Sequence, residues 1–170
     1  MKKLASTIIS TCLIAAPSTV VFAHDSNGSG SSSVGSSSGH AATVPDALAN
    51  ARVLIASKQW QAAIAELQHI NATKDANWNN LMGYSYRKAD PPDLVTAEKY
   101  YSAALEINPK HLGTLEYLGE MRLQQGDLAG AEKQLATLKN ATFLKSDEFK
   151  DLQVAIESYK AADNKYVSTE

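Results

Sequence analysis

Apolar side chains return at three- and four-residue steps along much of the chain, and Pro, Gly, Asn and Asp interrupt them at intervals. Trp78, Leu81, Met82, Tyr86 and Ala89 form one such series, and Leu94, Ala97, Tyr101, Ala104 and Leu105 form the next. A 3.6-residue helix places positions spaced this way on one face, so each series predicts an amphipathic helix. Between them stands Asp90-Pro91-Pro92. Proline lacks an amide donor and restricts the residue before it, so the first helix must end there, and Asp93 can cap the second. Asn108-Pro109 closes this pair in the same way, and Gly126-Asp127 provides a left-handed helix end followed by an N-cap in the next. A last series, Phe149, Leu152, Ile156 and Tyr159, predicts a helix from about 146 to 162, its other faces carrying Asp147, Glu148, Lys150, Asp151, Glu157 and Lys160.

The series are copies of one unit. Ala63, Ala97 and Ala131 are 34 residues apart, as are Leu67, Tyr101 and Leu135, then Trp60, Leu94 and Leu128, then Ile70, Ala104 and Leu138. Four apolar columns in phase, one of them alanine in every copy, define a repeat of two helices per copy. The alanine column has its own reason: a short side chain lets the two helices of a hairpin approach closely. The expected fold is all-α, about seven helices, arranged as about three hairpins and a final helix that covers the apolar flank of the last one.

Leu81-Met82-Gly83-x-x-Tyr86, then Ala97-x-x-x-Tyr101, Ala104 and Asn108-Pro109, resemble a tetratricopeptide repeat (TPR), and Leu118-Gly119, Gly126-Asp127 and Ala131 repeat the pattern. The central copy carries the most specific match. In the first copy Ala51 stands where the signature glycine belongs, and in the third Arg122 replaces the signature aromatic. The match spans roughly residues 44 to 139. It implies a right-handed superhelical solenoid with repeats at about 44–75, 76–109 and 110–143 and a capping helix at about 146–162, of the small exported bacterial type.

The resemblance also implies that the first helix of each repeat lines a concave groove. Its groove positions fall on Leu48, Arg52 and Ile55, on Asn80, Tyr84, Arg87 and Lys88, and on Glu116, Glu120, Leu123 and Gln124. Asn80, Tyr84 and Arg87 share one helix face and offer an amide, a ring and a guanidinium suited to an extended peptide or a helix. The alternative is a solvated helix face. The carboxylate clamp by which some TPR proteins hold chaperone tails is missing, since Leu48, Leu81, Gly113 and Tyr117 occupy its positions.

The ends are read separately. Lys2 and Lys3, a largely apolar stretch over residues 4 to 16, and Val21-Phe22-Ala23 form the pattern of a cleaved export signal over residues 1–23. The stretch is shorter than the ~20 apolar residues that span a bilayer, so no membrane span is expected. Cys12 lies in mid-stretch and is not placed as a lipid-attachment cysteine. Residues 24–43 hold almost no apolar side chain and read as a Gly/Ser-rich disordered linker; residues 163–170 read as a disordered tail. Gly35-Ser36-Ser37-Ser38-Gly39 fits the G-x-S-x-G pattern but lacks the strand-to-helix context that gives it catalytic meaning.

With the signal removed, Lys2, Lys3 and the single cysteine go, leaving a chain more acidic than the whole sequence at −2 and without a thiol. Such a chain has no disulfide framework and no basic footprint for nucleic acid. The four histidines, His24, His40, His69 and His111, show no pairing at ligand spacing, so no metal or other cofactor is expected, and no nucleophile, phosphate loop or acid–base pair marks an enzyme. Asn71-Ala72-Thr73 and Asn140-Ala141-Thr142 match the glycosylation pattern, unused behind a bacterial signal. The functional expectation is a periplasmic or secreted adaptor with a protein or peptide partner. The alternative is an accessory protein holding a metal or small ligand on the His24 and His40 tether. Leu48, Ile55 and Trp60 give the first repeat an apolar face through which two copies could associate.

Overall fold

Asp75, Asp93, Asp127 and Ser146 each stand one residue before a helix and accept main-chain amides of its first turn, from Asn77 and Trp78, Thr96, Gly130 and Phe149 respectively. These bonds satisfy donors that a helix start otherwise leaves unpaired. The structure, a computed structural model, describes residues 46–142 and 145–167. The expected signal, the linker with its G-x-S-x-G string, and His24 and His40 lie outside the described residues.

Seven helices follow one another: α1 (Ala49–Ala56), α2 (Trp60–Ile70), α3 (Ala76–Lys88), α4 (Leu94–Ile107), α5 (Leu112–Gln124), α6 (Leu128–Ala141) and α7 (Asp147–Ala161). No strand occurs among the described residues, so the fold is all-α. Their ends follow local chemistry. α3 stops at Lys88 before Asp90-Pro91-Pro92, and the Asp93 amide bonds back to the Tyr86 carbonyl, tying the start of α4 to the end of α3. α5 closes through Gly126 at φ 81°, which a residue with a Cβ rarely adopts, and the Asp127 amide returns to the Arg122 carbonyl.

Each helix packs on the next in sequence, and α1, α3, α5 and α7 also pack each on the next odd-numbered helix. The even-numbered helices make no such contacts with one another among the described residues. The core follows the same order, as three clusters along the chain: Leu48, Leu67, Trp78 and Met82 in α1 to α3; Ala97, Tyr101, Leu118 and Met121 in α4 and α5; and Leu115, Leu138, Phe149, Leu152 and Ile156 in α5 to α7. Ala63, Ala97 and Ala131 have no exposed surface, as their column requires.

Two glycines permit the closest approaches. A Cβ on Gly83 would sit 2.7 Å from the Tyr101 ring, and one on Gly119 2.5 Å from a Leu152 methyl. The predicted face of α7, Phe149, Leu152, Ile156 and Tyr159, is buried throughout.

Residues 163 to 167 depart from the expected unstructured tail. Asp163 and Asn164 take left-handed φ values of 54° and 61°, the Asn164 amide bonds to the Tyr159 carbonyl, and the Lys165 amide to that of Ala162. The chain turns back after α7, and Tyr166 packs on the α5–α7 core. A half-buried aromatic side chain packed on a core supplies a gain that the polar residues around it lack.

Candidate partner-binding face

α1, α3 and α5 carry the residues that the sequence marks for a groove. α3 and α5 are buried over most of their circumference, and five of the marked residues, Asn80, Tyr84, Arg87, Glu116 and Glu120, are each no more than 9% exposed. They are not a solvated helix face. Leu48 and Leu123 are core residues. Arg52 is exposed and ion-paired with Asp46, and Ile55, Lys88 and Gln124 are half-buried.

Arg87 organises the centre. It is 2% exposed, and its Nη2 donates to Glu120 Oε2 at 2.7 Å, joining α3 to α5. The rings of Tyr84 and Tyr117 flank its guanidinium at 5.4 and 5.7 Å, within cation–π range. Burial works against the charge, but the Tyr101 oxygen and the Glu120 carboxylate outweigh it, with Tyr166 also close enough to act, so the guanidinium is held charged beyond its ordinary range. Arg87 Nε and Nη1 and the Tyr101 hydroxyl are buried without a hydrogen-bond partner. The Tyr101 hydroxyl lies near the guanidinium without reaching bonding geometry; burial pushes its pKa up, and Arg87 partly offsets this.

Two further bonds join α3 to α5 or its cap, each between residues one repeat apart. Thr114 Oγ1 donates to Asn80 Oδ1 at 3.0 Å, and His111 Nε2 lies 3.1 Å from Asn77 Oδ1. His111 caps α5, its Nδ1 accepting the Thr114 amide at 3.1 Å, which assigns the ring as neutral with its proton on Nε2. Burial holds its pKa below the usual imidazole value, with Asp75 and Glu148 partly countering.

Aromatic rings extend this region. Trp60 meets Tyr84 edge-on at 6.0 Å, and Tyr84 meets Tyr117 at 4.6 Å, so α2, α3 and α5 contribute one row of three rings. Lys88 Nζ lies 6.0 Å from the Tyr84 centroid. The N-terminal apolar face expected to meet a second copy is not open as such, because Leu48 is buried in the core and Trp60 packs on Tyr84. Among the described residues no group of three His, Cys, Asp or Glu side chains is placed to hold a metal ion, and no helix is long and apolar enough to cross a membrane.

The arrangement is a row of aromatic rings, with the half-buried Lys88 beside Tyr84, fastened from beneath by buried polar bonds, which suits recognition through ring contacts. Sequence reasoning picked out Arg87 and Glu120 singly and missed their pairing, together with Trp60, Tyr117 and Thr114 as members of the region. The signal was available: Asn77 and His111, and Asn80 and Thr114, are one period apart, and Arg87 and Glu120 are one residue short of it. No protein-family model matches the chain, and no curated protein matches it.

Proposed function

We propose that this protein is an exported scaffold without catalysis of its own, a solenoid of tetratricopeptide type that holds a protein or peptide partner against the face formed by α1, α3 and α5 together with Trp60 at the start of α2. The single observation that carries the reading is the row Trp60–Tyr84–Tyr117, with its centroid spacings of 6.0 and 4.6 Å and the Arg87 guanidinium set against two of the rings. Aromatic side chains give large contact area at low conformational cost and dominate the energetics of protein recognition. Successive packing of the odd-numbered helices, and hydrogen bonds between residues one period apart, support the repeat reading, because a stack of like units brings equivalent positions together.

In this reading the buried Arg87–Glu120 pair fixes the spacing of α3 and α5, and the partner is touched by the ring edges together with Arg52, Ile55, Lys88 and Gln124. The test uses the purified chain as bait for periplasmic extract, beside an Arg52→Glu, Lys88→Glu variant and a Val95→Glu control on α4, where Val95 is 69% exposed. A protein retained by the wild type and the control but lost from the double variant is the expected result. Retention by all three, or by none, refutes the assignment of this face.

A further inference from the structure

Helices α1 and α2, α3 and α4, and α5 and α6 form hairpins, no helix follows α7 among the described residues, and residues of α6 and α7 line a cleft of about 450 Å³. Its floor is apolar, from Leu135, Phe149 and Ile156. Its charges are divided between its two ends. The Lys160–Glu132 ion pair at 2.6 Å places the end of α7 beside the start of α6, so the two helices run antiparallel. Glu132 and Glu157 therefore mark one end of the cleft, where Lys160 is engaged by Glu132 and Glu157 accepts a bond from Gln153. Lys139 and Lys145 mark the other, at the connection between the helices, and neither has a carboxylate partner among the described residues; Lys145 lies over the Phe149 ring at 5.2 Å.

A twofold axis that crosses the mouth of a cleft at right angles to its length exchanges its ends. A second copy turned about such an axis presents Glu157 to Lys139 and Lys145 and receives the same contact in return, and each copy closes the apolar floor of the other's cleft from solvent. We propose that the α6–α7 cleft is the seat of a homodimer, in which the flank of one copy covers the flank of the other. The charge division selects this occupant. A partner helix of one sign would meet repulsion at one end, whereas the twofold copy pairs both. This contact is at the opposite end of the helix series from α1 and does not depend on the partner-binding reading.

The test is charge reversal with complementation, read by sedimentation velocity over a concentration series and by energy transfer between labelled chains. The Lys139→Glu, Lys145→Glu variant has two acidic ends, and the Glu157→Lys variant has two basic ends. All three positions are exposed, and circular dichroism checks that both variants fold. The wild type is expected to dimerise and each variant alone to lose at least about tenfold in affinity, since each reversal acts twice across the axis. An equimolar mixture of the two variants is expected to form the mixed dimer. A wild type that stays monomeric overturns the proposal, as do a dimer indifferent to both reversals and a mixture that fails to associate. The last result assigns the cleft to another occupant.

Discussion

Arg87 of α3 and Glu120 of α5 are joined by a 2.7 Å ion pair in which neither side chain is more than 6% exposed. The pair connects two helices that the chain separates by the whole of α4. A buried pair of this kind seldom adds net stability over apolar residues of like volume, yet loss of one partner strands the other charge. Arg87→Met alone and Glu120→Leu alone are each expected to destabilise the fold by about 3–5 kcal/mol, and the double variant to regain most of that loss. Urea denaturation of the four proteins decides it. Additive losses in the double variant would show that the pair is not the unit of stability.

Gly83 and Gly119 both sit where a methyl group has no room, but their neighbours differ. A Cβ at Gly83 meets the Tyr101 ring at 2.7 Å and the Ala97 carbonyl oxygen at 3.1 Å, while the three atoms nearest to one at Gly119 all belong to the Leu152 side chain. A leucine can change rotamer more readily than a ring and a main chain can move. Gly83→Ala is expected to cost about 2–3 kcal/mol and Gly119→Ala about 1–2 kcal/mol, on the scale of core overpacking. Thermal or urea unfolding gives the order, and a larger loss at Gly119 would contradict it.

Asp93 and Asp127 are separate devices on separate helices. Each accepts one amide of the helix it precedes, at 2.9 and 2.8 Å. Asp93→Ala and Asp127→Ala are each expected to remove about 1 kcal/mol, and the two losses to add, since the sites share no partner. Denaturation midpoints of the single and double variants check both statements.

His111 makes stability depend on pH. Its neutral ring caps α5, so the folded state binds a proton less readily than the unfolded chain does, and the contribution is complete above the unfolded imidazole pKa of about 6.5 and lost as pH falls through and below it. Stability is expected to fall from pH 7.5 to pH 5.5, and His111→Asn, which keeps a capping oxygen without a titrating ring, to flatten that part of the slope. Urea midpoints across this range supply the measurement. An unchanged slope in the variant would remove His111 from the account.

What the sequence disclosed and what it withheld divide along the range of the interactions. Helix ends at Asp93, Asn108 and Gly126-Asp127 are set by bonds within a few residues, and the buried face of α7 by its own spacing, so both were legible. The 34-residue columns located the alanines between paired helices because small size is visible in one residue. Arg87 and Glu120 read as surface residues because charge predicts exposure, and only the packing of α3 against α5 brings them together inside. The same reason hid Tyr166: its segment is polar, and its packing depends on a turn through Asp163 and Asn164 and on the α5–α7 core it returns to.

A partner is expected over α3 and α5, beside Trp60 of α2, and not over Val95 of α4. The most direct measurement places a photo-crosslinking amino acid at Tyr117, or at Val95 on α4, in the full chain, and identifies what is captured on illumination in the living cell. Capture of a distinct protein from position 117 and not from position 95 is the expected result. Equal capture from both positions, or capture from position 95 alone, would contradict it.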